Sequence, residues 1–177
     1  MEYRLPKLED KYEILSYIEE HYSHNEKNLS ASIGLTSMRF EEWITKINNN
    51  VNIPDEKWGK SLTYLVFDND NKLVGLLSVR FDMPDDLASK YGHIGYGVRP
   101  SERRKGYATK MLQFALEECK KHGMSKVILG CYKGNVGSAK TIIKNGGKLV
   151  KEVDVYKDIN EFWKINLISQ YYEIDLN

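Results

Sequence analysis

Cysteine is scarce. The 177-residue chain carries two, Cys119 and Cys131, and neither their number nor their spacing suggests a disulfide framework or a zinc site. Both lie in apolar runs and read as reduced core residues, and no metal site is expected. No charge sign dominates either: 26 Lys and Arg stand against 25 Asp and Glu, for a formal net charge of +1. That balance argues against a nucleic-acid binder working through bulk charge, so any electrostatic recognition is local. There is no cationic-then-apolar leader and no apolar run long enough to span a bilayer, so the expectation is a cytoplasmic protein with no membrane partner. Internal repeats and low-complexity tracts are missing too. What is present fits one domain, residues 1–177, long enough to bury a sizeable core.

Taken in order, Glu2 to Leu5 reads as a short strand stopped by Pro6. Leu8, Tyr12, Leu15, Ile18 and Tyr22 mark the apolar face of a helix, and Phe40, Trp43, Ile44 and Ile47 that of a second. His24 to Ser37 and Asn48 to Trp58 read as loops. Ser61 to Phe67 and Lys72 to Arg80 are β-rich runs around Asp68-Asn69-Asp70-Asn71, a strong turn signal, which predicts a hairpin. Leu73-Val74-Gly75-Leu76-Leu77 is apolar on both faces, as a central strand covered on both sides must be. Phe81 to Tyr91 reads as a loop. Further strands are expected over Lys126 to Tyr132, Lys148 to Val155 and about Ser169 to Leu176. A short helix over Gly134 to Asn145 would have Ala139, Ile142 and Ile143 inward. The stretch 160–168 stays open between strand and helix.

The chain is organised around Gly92 to Thr109: a glycine-containing strand ending in Val98, a basic turn and a helix start. After Gly106 the set Tyr107, Met111, Leu112, Ala115, Leu116 and Cys119 recurs at helical spacing, with Lys110, Glu117, Glu118 and Lys121 opposite. Glu117 and Lys121 form an (i, i+4) pair, and Gly123 ends the helix. The first amides of a helix lack internal acceptors and carry partial positive charge, so a turn with little bulk can wrap a phosphate there. In Arg103-Arg104-Lys105-Gly106-Tyr107-Ala108, Gly106 admits an anion to the backbone, Ala108 keeps the first turn open and three cations raise the local potential.

This segment resembles the acetyl-coenzyme A signature of the GNAT superfamily of N-acetyltransferases, Gln or Arg, two residues, Gly, one residue, Gly or Ala, matched by Arg103, Gly106 and Ala108. Within it, His93 to Pro100 looks most like a group of bacterial acetyltransferases. The element order β-α-α-β-β-β-α-β-α-β-β is similar to that superfamily over nearly the whole chain. The resemblance implies an α/β (α+β) fold. Its mostly antiparallel sheet would have about seven strands, with helices on both faces and a splayed parallel strand pair. It implies an acetyl-CoA co-substrate held by Val98, Arg103, Arg104, Lys105, Gly106, Tyr107, Ala108 and Thr109. Asn135 and Ser138 would contribute from the next helix, the competing reading of Asn135 being a turn residue or helix cap. The region between the first two strands and the loop before Gly92 would border the acceptor, a small-molecule or peptide amine. A homodimer is open, because superfamily members often dimerise.

The implied chemistry is direct attack of an amine on the thioester, with no acyl-enzyme. Relatives commonly carry a tyrosine seven residues beyond the asparagine to protonate the thiolate; here that position is Ile142. Tyr96 and Tyr132 are the substitutes within reach, and His93, on the strand where relatives place a glutamate, is the candidate base. Core packing is the competing reading for all three. Two other functions stay open. One is a non-catalytic acyl-CoA-binding module or sensor. The other is a nucleotide-binding protein, since Gly134 to Thr141 approximates a phosphate loop, but with Ala139 where the second glycine belongs. Cys131 lacks a paired histidine in sequence and reads as packing rather than as a nucleophile.

Overall fold

In the computed structural model, which describes residues 1–160 and 163–176, the Asp68 turn folds Ser61–Phe67 (β2) against Leu73–Arg80 (β3). The Asp68 carboxylate accepts from the amides of Asp70 and Lys72, both at 2.9 Å, and Asn71 takes the left-handed conformation that asparagine tolerates. Glu2–Arg4 (β1) flanks β2, and Ile94–Val98 (β4) flanks β3, giving the antiparallel order β1-β2-β3-β4. Lys126–Tyr132 (β5), Lys148–Asn160 (β6) and Trp163–Asp175 (β7) form a second antiparallel sheet, ordered β5-β7-β6. Among the described residues the seven strands make two sheets, not one continuous sheet. Of the 160–168 stretch, Trp163 onward is strand, and residues 161 and 162 lie outside the described residues.

Every residue of β3 is buried, as its unbroken apolar run requires of a central strand. One core lies between the sheets and Tyr107–Lys121 (α4), built on Val74, Leu77, Met111, Leu112, Ala115, Val127 and Leu129. A second lies on the opposite side under Lys11–Ser23 (α1) and Phe40–Asn49 (α2), around Ile14, Tyr17, Trp43, Leu65 and Leu76. Burying each such side chain contributes about 1.5–3 kcal/mol, so the two cores fix both faces of the first sheet.

Five local expectations are corrected. The stripe predicted for α1 is mostly solvent-facing, with Tyr12 80% and Leu8 58% exposed, while Ile14, Tyr17 and His21 are buried. Both stripes have helical spacing, and the imidazole of His21 disguised the inner one. The predicted loop before β4 contains a helix, Asp85–Tyr91 (α3), begun after Pro84 and ended at Gly92 with φ +74°. In Val136–Lys144 (α5) Ile142 is inward but Ile143 is exposed. On α4, Glu118 is buried, because its carboxylate accepts from the Tyr64 hydroxyl at 2.7 Å and pairs with Lys121 at 2.7 Å; Glu117 pairs with Lys120 instead.

Candidate active site

The two sheets touch at one backbone junction. The His93 amide donates to the Ile128 carbonyl at 2.8 Å, and the Ile128 amide donates to His93 Nδ1 at 2.9 Å. Beyond His93, β4 keeps its pairing with β3 but has no strand partner on its other side among the described residues. A cleft of about 1180 Å³ opens between β4 and β5, with α4 and α5 beginning at its rim. Space is tight behind its β4 wall: a Cβ at Gly97 would sit 3.0 Å from the Tyr17 hydroxyl and 3.4 Å from Ser30.

At one end lies the basic turn. Gly106 has φ +84°, and the space where its Cβ would sit is open for 4 Å. Arg104, at φ +62°, is also left-handed, so the turn curls its backbone ahead of the first amides of α4. Val98, Arg103, Arg104, Gly106, Tyr107, Ala108 and Thr109 all line the cleft. Lys105 does not: it pairs with buried Glu102 at 2.8 Å, which also holds Lys72 at 2.6 Å. Arg103 is spoken for as well, by Glu26 in the polar loop after α1. Of the three cations, only Arg104 has no carboxylate within ion-pair distance among the described residues.

On the far wall, Asn135 caps α5 by accepting from the Ser138 amide at 3.1 Å. The cap is therefore real, and both residues still border the cleft. Ser138 Oγ lies 2.8 Å from the Tyr96 hydroxyl, bridging β4 to α5 across the gap. Burial pushes the Tyr96 pKa up to about 12, so the phenol keeps its proton at neutral pH. Cys131 lines the same wall; burial raises its thiol pKa, which disfavours the thiolate that a nucleophile needs. Because α5 starts at Val136, most of Gly134 to Thr141 is helix rather than a loop wrapped round a phosphate.

His93 is placed behind the cleft wall, with Nδ1 committed to Ile128 and its pKa lowered chiefly by burial. Among the charged or polar groups that sequence reading passed over, His21, Glu26 and Arg80 border the cleft. Glu26 sits in a polar loop that carries no pattern. An arginine closing the apolar run of β3 was the available signal for the third.

Residues 33–146, more than half of the chain, match the acetyltransferase (GNAT) family. The chain belongs to that family. Among solved structures it is similar to an N-acetyltransferase from Staphylococcus aureus Mu50 (22% identity, TM-score 0.67, 99% of this chain and 98% of that one). It is also similar to an acetyltransferase from Salmonella typhimurium that modifies the N-terminal serine of ribosomal protein L7/L12 (17%, TM-score 0.68, 99% and 94%). A third is the microcin C7 self-immunity acetyltransferase in complex with acetyl-CoA and AMP (18%, TM-score 0.69, 98% and 91%). At these identities the likeness shows the fold. A comparison with curated proteins gave no match.

Proposed function

We propose that this chain is an N-acetyltransferase that moves an acetyl group from acetyl-CoA to an amine acceptor by direct attack. The observation that carries the reading is the coincidence, in one cleft, of a phosphate-sized backbone turn and an unpaired strand edge leading away from it. The coenzyme fits the residues present: a Cβ at Gly106 would enter the open space over the α4 amides, where a pyrophosphate would be held. The free edge of β4 suits the amide-bearing arm, with Asn135 and Ser138 opposite. Bound there, the coenzyme supplies a thioester as the activated acyl group. The acceptor nitrogen forms the new bond to the acyl carbon, the carbon–sulfur bond breaks, and the amine proton passes to water. Tyr96 is the group that gives a proton to the departing sulfur. Its phenol is protonated at neutral pH, and Ser138 Oγ, 2.8 Å away, orients its hydroxyl.

No carboxylate at the β4 end near Gly95 lines the cleft among the described residues, and His93 Nδ1 is occupied, which supports deprotonation through water over a side-chain base. Binding measured by calorimetry, followed by acetyl-CoA-dependent thiol release with a panel of amines and peptide N-termini, tests the reading. Binding without turnover on any acceptor would favour a coenzyme-binding module. No binding would sink both.

A further inference from the structure

Arg80 ends β3 as a buried residue, at 8% exposure, yet it has no carboxylate partner among the described residues. Nη1 donates to the Gly92 carbonyl at 2.8 Å, and the guanidinium carbon lies 5.2 Å from the Trp58 ring centre. Nε is buried with no acceptor. Nη2 sits 3.7 Å from the position a Cβ would take on Gly95, next to the Ala31 backbone, and all three residues line the cleft. A buried cation with unused donors is costly unless something pairs with it. Burial indeed lowers its pKa, with no opposing cause. The other charges bordering the cleft do not supply the partner. Glu26 and Glu102 are held by Arg103 and by Lys72 and Lys105 at the phosphate turn, and Lys90 is itself cationic.

We propose that Arg80 is an acceptor-binding residue, and that the acceptor is an amine that also carries a carboxylate, such as a free amino acid, held through the guanidinium at the Gly95 end of the cleft. The inference rests on the acetyl-transfer reading above. Nη2, beside Gly95, has N–H donors that a carboxylate oxygen would accept, whereas a neutral amine would leave them unpaired. The cleft runs from the phosphate turn past Tyr96 to Gly95, so an acceptor anchored at Arg80 presents its amine toward the Tyr96 region. There the nitrogen gains the acyl carbon, and the sulfur leaves with a proton.

The test uses the full chain, with acetyl-CoA binding first established by calorimetry before any acceptor is added. Thiol release is then measured with the L-amino acids, their carboxamides and the corresponding decarboxylated amines. At least one acid should exceed its carboxamide by about tenfold to a hundredfold in kcat/KM, carried mainly in KM. Arg80→Met should abolish that preference, Arg80→Lys should keep part of it, and acetyl-CoA affinity should stay the same in both. Carboxamides and amines accepted as well as the acids would overturn the proposal. So would a preference that survives Arg80→Met, or no acid turned over by protein that binds acetyl-CoA. If Arg80→Met does not fold, the wild-type preference and Arg80→Lys decide. Failure to bind acetyl-CoA would sink the acyl-transfer reading itself, and it shows in the calorimeter at the first step.

Discussion

Arg103 grips both carboxylate oxygens of Glu26, with Nη1 at 2.6 Å and Nη2 at 2.5 Å, while the second of those oxygens also lies 2.8 Å from His21 Nδ1. The leading residue of the basic turn is thereby fastened to the loop after α1, 77 residues earlier in the chain. The fork fixes where the turn sits relative to β4, and it removes one cation from the field offered to an anion.

The Arg103 fork and the His21 bond hold the Glu26 carboxyl well down, to about 2 from its usual 4.5. A depressed acid stabilises the fold above its unfolded pKa, and that contribution is lost as pH falls through the folded one. Glu26→Gln should therefore lower the melting temperature at neutral pH, and its gap from wild type should close between pH 4.5 and about 2. Thermal melts across that range check it. A gap that is constant with pH would mean the carboxylate charge is not what stabilises the turn.

Gly106→Val should cost far more acetyl-CoA affinity than Arg104→Ala. At φ +84° a branched side chain is strained by about 1–2 kcal/mol and projects into open space at the start of α4. A loss above about tenfold is expected for the valine and below about threefold for the alanine, since the field of an exposed cation is screened. Calorimetry on both variants decides the matter. The reverse ranking would show that side chains rather than backbone hold the phosphate.

His93→Asn should preserve the junction between the sheets, because the amide oxygen can replace Nδ1 as acceptor for Ile128. His93→Leu leaves that amide unpaired and should cost about 1–3 kcal/mol. The fold holds the ring neutral, with burial lowering its pKa from 6.5. As pH falls through about 6.5 the unfolded chain takes up the proton first, so stability drops, then levels off below the folded pKa. His21, lowered chiefly by burial too, adds a slope of the same sign. Urea melts of wild type and His93→Asn between pH 5 and about 8 should show a shallower slope in the variant. Its pH–rate profile should match wild type; loss of the acidic limb would instead make His93 the base.

Tyr96→Phe should reduce kcat by about a hundredfold, the lower end for losing a positioned acid, with little change in the KM for acetyl-CoA. Ser138→Ala removes only the bond at 2.8 Å and should have the smaller effect. Steady-state kinetics with a working acceptor separates the two. An unaffected kcat in Tyr96→Phe would assign thiolate protonation to water.

The hairpin at Asp68, the buried β3 and the turn leading into α4 were legible because each is written in neighbouring residues: a turn tetrad, an unbroken apolar run, a glycine before a periodic helix. The inner face of α1 was not. Leu8, Tyr12 and Leu15 recur as regularly as Ile14, Tyr17 and His21, and periodicity says only that a face exists. The Glu118 burial depends on Tyr64, 54 residues away. The same holds for the site. The basic turn could be read from Arg103 to Ala108, whereas Glu26 and Arg80 gain their meaning from groups brought near by the fold.

The division of the strands into two sheets has a consequence for solubility. A sheet edge in solvent is a template on which another copy of the chain can add a strand, and proteins usually blunt it with charge, proline or a bulge. Here the break adds two such edges, and β4 guards its own with little more than glycines 95 and 97. Its protection is its position: the edge lies at the bottom of a groove, behind the Ala31 loop and α5, so self-association by strand addition is discouraged by access rather than by side-chain chemistry.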